Sequence, residues 1–242
     1  MKKIYEKSEI IFVFLYFYIY ILGIIFANAI MDQFDLGIVN IFKSFWLIFI
    51  SCMLIVFLKK NGLFIYYGLC KAKVSSKRRL NYFPLILISS FNVLNGITFK
   101  YSFIDMVLMS VEMFLIAFQE EMIFRGFLFK AFKNHFGNKA ILFTNTLFCL
   151  FHLLNFNENI LLTFLQVIFA FLIGIMYSLI FCTSKSLVYC IVSHGFINFL
   201  SLFNETLFKT KTSILIYLFE FLIILIYDVY LYKSFYKSRV EN

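Results

Sequence analysis

The chain has 242 residues, of which 62% are hydrophobic and 14% charged, with 36 Phe, 15 Tyr and a formal net charge of +9. A soluble globular protein is nearer half apolar and a quarter charged, so this composition excludes a soluble enzyme, a disordered regulator and a secreted disulfide domain. It fits an all-α, polytopic integral membrane protein built as a single membrane domain over 1–242, with apolar surface turned to the lipid bilayer.

The apolar runs follow one another along the chain, and we read eight: Ile10–Met31, Gly37–Leu58, Tyr82–Phe99, Phe103–Phe129, Ala140–Leu154, Ile160–Phe181, Leu187–Phe203 and Ser213–Tyr232. They are continuous rather than alternating, which disfavours a membrane barrel. A helix satisfies every backbone group inside the bilayer. Lys2, Lys3 and Lys7 precede the first run, and Ala27-Asn28-Ala29 resembles a small-residue cleavage site. The stretch from Ile10 to Phe26 is nevertheless longer than a signal-peptide core, so a retained helix is expected. The fifth run is short for a full span.

Charge sets the expected orientation. With the N-terminus in the cytoplasm, most Lys and Arg fall on the inside, above all in the basic stretch 59–79, and few fall outside. This pattern supports eight spans with both termini cytoplasmic. The same distribution argues against nucleic acid as a partner, because the basic residues mark topology. Lys59–Arg79 serves mainly as a topology anchor, with an anionic-lipid or partner site as the sharper reading. Cys52, Cys70, Cys149, Cys182 and Cys190 have no paired spacing and read as packing residues. Heavy use of Phe, Ile, Lys and Asn points to an AT-rich coding genome, and a bacterial plasma membrane is the expected location.

Ionisable groups at membrane depth are costly and usually functional. The fourth run holds Glu112, Glu120, Glu121 and Arg125, the fifth ends near His152, and the seventh holds His194 and Asn198. At about 100° per residue, Glu121 and Arg125 share one helix face and can pair, which offsets their burial. Glu120 points elsewhere and is left for chemistry. Phe148 lies one turn before His152, and His194 one turn before Asn198, with Gly195 allowing close approach of a helix or substrate. Each pair alone is as consistent with helix–helix hydrogen bonding as with catalysis. His135 falls among lysines and reads as solvated. Glu112 is off the Glu120 face. Glu220 is expected to contact another helix or a polar cavity, and Asp228 to lie at the interface.

Taken together, Glu-Glu-x-x-x-Arg, Phe-x-x-x-His and His-x-x-x-Asn on three separate spans, in that order, resemble the signature of the CAAX-protease and bacteriocin-processing (CPBP, or Abi) family of intramembrane endopeptidases, which includes the type II CAAX-prenyl endopeptidases. The resemblance covers about 103–203, the expected catalytic core. It implies an eight-helix fold around a conical intramembrane active-site cavity. It also implies hydrolysis of a peptide bond in a membrane-associated protein or peptide. Glu120 would act as general base and His152 would hold the water. His194 and Asn198 would stabilise the oxyanion. Glu121 with Arg125 would aim Glu120, and Phe148 would fix His152. Glu120, His152 and His194 could also converge on zinc. The helical H-E-x-x-H arrangement is absent, and metal-free, glutamate-activated water is the preferred of the two. A non-catalytic bacteriocin-immunity or membrane binding protein of the same fold is the alternative, and a proton-coupled transporter a third. Transport is weakened by the lack of internal repeats and of Pro/Gly-broken helix pairs.

Overall fold

The computed structural model describes residues 1–29, 36–72, 74, 80–99, 101–155, 160–203 and 211–240. Regular structure among them is entirely helical. The elements are α1 (Lys2–Lys7), α2 (Glu9–Ala29), α3 (Leu36–Lys60), α4 (Pro84–Ser90), α5 (Phe103–Glu121), a π-helical segment Met122–Leu128, α6 (Phe129–Phe136), α7 (Ala140–Phe151), α8 (Ile160–Ser184), α9 (Val188–Ser201) and α10 (Lys211–Val240). Short 3₁₀ turns follow α4, α6 and α7.

Among the described residues, four segments are long and apolar enough to cross a membrane: Glu9–Ala27, Val39–Lys60, Thr163–Ser184 and Ile214–Tyr236. Of the eight expected spans, four thus meet both conditions among the described residues. The third run fails on length, because α4 gives way to a 3₁₀ turn, Phe91–Asn95, that ends at Gly96 with φ +94°. The fifth fails likewise: the 12 residues of α7 reach about 18 Å, against a hydrocarbon core of about 30 Å. The seventh is the apolar but short helix Val188–Ser201. The fourth carries Asp105, Glu112, Glu120 and Glu121, whose burial is a matter of tertiary partners.

The surface is what a lipid-facing bundle requires. Ile11, Phe14, Tyr18, Ile25 and Phe26 on α2, and Leu215, Phe219, Leu222 and Ile226 on α10, are exposed. A water-soluble monomer does not present apolar patches of this extent. Polar groups turn inward instead: Gln119, Glu121, Arg125, Asn145 and Ser178 are fully buried.

The most extensive packing joins α5 to α9, with α3 on α5, α7 on α8 and α10 on α8 around it. Ser102 starts α5: its Oγ accepts from the Asp105 amide at 3.2 Å and donates to the Asp105 carboxylate at 2.6 Å, a reciprocal cap. The start of α9 is tied to the loop after α3. Leu187 N donates to Gly68 O at 2.8 Å and Ser186 Oγ to Cys70 O at 2.6 Å. Gly68 has φ +80° and abuts the Phe181 ring, so a side chain there meets both backbone strain and a clash. Beside it, Tyr67 is fully buried and donates to Glu9, while its hydroxyl also meets Tyr5 at 2.7 Å. Burial and the Glu9 carboxylate push the Tyr67 phenol up, keeping it a proton donor.

Candidate active site

Three consecutive residues at the end of α5 face three different sets of partners. Gln119 turns to α2 and α3, donating to Ser51 Oγ at 2.7 Å and accepting from Tyr16 OH at 2.5 Å. Glu120 turns to α9, its Oε2 3.6 Å from His194 Nε2. Glu121 accepts from Arg125 Nη1 and meets His194 Nδ1, both at 2.9 Å through the same Oε1. A helix rotates successive side chains by about 100°, so adjacent polar residues are separated by geometry alone.

The sequence predicts a regular α-helix through Arg125, but Met122–Leu128 is π-helical, with all seven residues buried. A π-segment widens the turn and recurs at functional sites. Arg125 still reaches Glu121, and its guanidinium lies over the Phe148 ring, 4.1 Å from the centroid. Its Nη2 donates to Asn145 Oδ1 at 3.3 Å, and Asn145 Nδ2 donates to Ser178 Oγ at 3.1 Å and Ile141 O at 2.8 Å. Gly174 on α8 leaves room for this cluster: a Cβ there would stand 2.7 Å from Asn145 Oδ1 and 3.0 Å from Arg125 Nη2.

The histidines approach from two further helices. Phe148 stands between them, its ring 4.7 Å from His152 and 6.3 Å from His194, edge-on to both. His152 Nδ1 lies 3.0 Å from Phe148 O. A carbonyl only accepts, so Nδ1 carries the proton and Nε2 presents a lone pair. Glu121, which pairs with Arg125 as a carboxylate, likewise accepts from His194 Nδ1–H, and Nε2 faces Glu120. Glu121 and Arg125 have fully buried side chains, whereas that of Glu120 is 22% exposed and His152 is half-buried. Glu120 and His152 thus keep access that Glu121 and Arg125 lack.

Sequence alone puts Glu120 near the inner end of the fourth run and His152 late in the outward-going fifth, which would separate them. The helix continues through α6 to Phe136, and Gly137 (φ +57°) turns the chain directly into the short α7. Phe124, one turn after Glu120, meets Phe148, one turn before His152, with ring centroids 5.0 Å apart.

The remaining candidates lie elsewhere in the bundle or at its surface. Asn198 lies one turn beyond His194; its carbonyl accepts from Ser201 Oγ at 2.6 Å. No hydrogen bond among the described residues joins its carboxamide to Glu120, Glu121 or the histidines. Glu112 sits outside the site and accepts from Ser44 at 3.0 Å. Asp228, expected at the interface, is buried at 6% exposure, and Glu220 at 3%. His135 is exposed at the end of α6. No three His, Cys, Asp or Glu side chains among the described residues are grouped closely enough to hold a metal ion. The set Glu120, His152 and His194 considered for zinc is therefore not gathered here, although each histidine keeps a second ring nitrogen beyond the one engaged.

Sequence reasoning passed over Asn145, Gly174 and Tyr177. Asn145 is two turns before His152 on the same face, a signal that the polar-residue count in the fifth run contained. Gly174 carries no such signal. Tyr177 stacks beside His194, with centroids 5.9 Å apart, and donates to Ser193 Oγ at 3.1 Å, which in turn meets Ser89 Oγ at 3.0 Å. Gly195 admits the Phe114 ring of α5 into the space a Cβ would occupy, so its close approach serves helix packing.

A helical, membrane-type bundle with a carboxylate pair, an arginine and two histidines at its core defines the class. Residues 102–200, less than half of the chain, match the family model described as type II CAAX prenyl endopeptidase Rce1-like. No curated protein and no solved structure matches the chain.

Proposed function

We propose that the protein is an intramembrane endopeptidase that hydrolyses a peptide bond in a membrane-associated protein or peptide. The observation that carries this reading is the split of the adjacent carboxylates. Glu121 is sealed between Arg125 and His194, while Glu120 stays accessible 3.6 Å from His194 Nε2. Peptide hydrolysis needs a base for water, donors for the oxyanion and a proton for the leaving amine.

Glu120 takes the proton of the attacking water, and His152 Nε2 holds that water by accepting its second hydrogen. The tetrahedral oxygen is stabilised by the Asn198 carboxamide and by His194 with both ring nitrogens protonated, Nδ1–H held by Glu121 and Nε2–H donated to the oxygen, and Glu120 returns its proton to the leaving nitrogen. Glu121 and Arg125 fix the π-segment and the His194 ring, and Phe148 keeps the two imidazoles apart. Substrate enters through a conical cavity between α5, α7 and α9. The shorter helices complete an eight-span bundle with both termini cytoplasmic. No step is routed through a metal, because the three side chains that would supply it are not mutually within reach.

The test is cleavage of a quenched-fluorescent peptide library by the purified chain in nanodiscs. Glu120→Gln is expected to lower the rate by roughly 10²–10⁴-fold, the range for loss of a general base, and His152→Ala should also be impaired. Equal rates in wild type and both variants would sink the proposal and favour the binding-protein reading.

A further inference from the structure

Two hollows lie on the face of α2 and α3 where α1 crosses them, remote in sequence from the residues of the candidate site. The larger, about 650 Å³, is lined by Met1, Lys2, Phe49, Met53, Val56 and Lys60 among others. The smaller, about 100 Å³, is bounded by apolar side chains and Tyr16, including Phe12, Leu15, Ile19 and Ile50. Both are bounded by Met1 and Met53, so they are two stretches of one furrow between the helices. From Lys60 to Phe49 the larger stretch follows α3 for about 16 Å.

Charge is confined to one end of this furrow. Lys2 and Lys60 stand at its mouth, and Lys59, Lys3 and Lys7 are close by in sequence. Of the nearby carboxylates, Glu6 is shared with Lys2 at 3.6 Å on the exposed face of α1, and Glu9 is taken by Tyr67. Below the mouth the walls are hydrocarbon and thioether, with Cys52 and Phe49 toward the far end. The exposed side chains Phe45, Ile48 and Phe49 continue the same apolar face along α3.

We propose that this furrow holds an anionic phospholipid, its phosphate between Lys2 and Lys60 and an acyl chain along Phe49, Met53 and Val56. Only a molecule with an anion at one end and a long apolar chain matches the two ends at once. A zwitterionic lipid would bring a quaternary amine toward the same lysines, and a free phosphate would leave the hydrocarbon groove unfilled. The site is independent of the proteolytic reading, since none of its lining residues takes part in the proposed reaction.

The test is a thermal-shift titration of the full chain in detergent with phosphatidylglycerol, phosphatidylcholine or glycerol 3-phosphate, with native mass spectrometry of the retained lipid. Phosphatidylglycerol should stabilise the wild type and remain bound. The combined Lys2→Gln, Lys60→Gln variant should bind it roughly tenfold to thirtyfold more weakly, given about fivefold per basic residue near a lipid surface. Met53→Trp, at an exposed position, fills the furrow with both lysines intact and should lose the lipid as well. Lys133→Gln, on α6, should titrate as wild type. Equal binding of phosphatidylglycerol and phosphatidylcholine would overturn the proposal. So would glycerol 3-phosphate binding as tightly as the lipid, or wild-type titration by both furrow variants.

Discussion

At the contact of α5 with α9, Glu121 faces Arg125 and His194, each at 2.9 Å, and Arg125 is further held by Asn145 and the Phe148 ring. On α10, Asp228 is also buried, yet neither of its carboxylate oxygens has a hydrogen-bond partner among the described residues, where Glu121 leaves only Oε2 without one. The two regions bury the same chemical group under opposite terms. A buried charge is tolerated when an opposite charge and further hydrogen bonds accompany it, and breaking such a set leaves an uncompensated ion. At the core the set draws on the end of α5, the π-segment, α7, α8 and α9, which makes it a lock on their relative positions. On α10 the carboxylate locks nothing that the described residues reveal.

The comparison can be broken most severely at Arg125. Arg125→Met should destabilise the protein by about 3–5 kcal/mol, because Glu121 remains buried without its cation. Arg125→Lys should recover little, since one ammonium cannot serve Glu121 and Asn145 through separate nitrogens as the guanidinium fork does. Thermal unfolding in detergent, read against wild type, would show both. Recovery of full stability by lysine would mean that charge alone, not the fork, holds the cluster.

Gly174→Ala should come next, with a loss of about 1–3 kcal/mol from overpacking. Its new methyl would press on Asn145 and Arg125 at 2.7 and 3.0 Å. Peptide cleavage should fall with it, because the displaced guanidinium carries Glu121 and hence His194. A Gly174→Ala protein with unchanged melting temperature would show that α8 yields at this point.

The smallest effect is expected on α10. Asp228→Asn should leave cleavage unchanged and be neutral or raise the melting temperature slightly, since it removes the cost of burying a possible charge and keeps the shape. A marked loss of stability would reveal a partner for Asp228 outside the described residues and erase the contrast.

Much of this was legible in the chain itself. Composition and the runs of apolar residues dictated a helical bundle in lipid, because no other backbone arrangement built from such runs satisfies its hydrogen bonds there. One-turn spacing dictated the Glu121–Arg125 pair, and the 100° offset dictated that Glu120 would face elsewhere. Those are local properties, fixed within a single helix. The lengths of α4 and α7 were not legible, because apolar residues can end a helix at a tertiary contact as readily as at a polar break. Neither was the π-segment, whose wider turn is stabilised by the burial of all seven of its residues.

The sequence by itself determined the solvent, the helices and which ionisable residues had to be accounted for. Tertiary structure alone decided that His194 serves Glu121 through one nitrogen and faces Glu120 with the other, and that Asn145 and Gly174 complete the arginine's surroundings. It decided too that Asp228 is enclosed rather than interfacial. The physical reason is range. Helical periodicity acts over one or two turns, whereas a buried charge is satisfied by whichever side chains distant segments bring within about 3 Å, and only the packing of those segments specifies them.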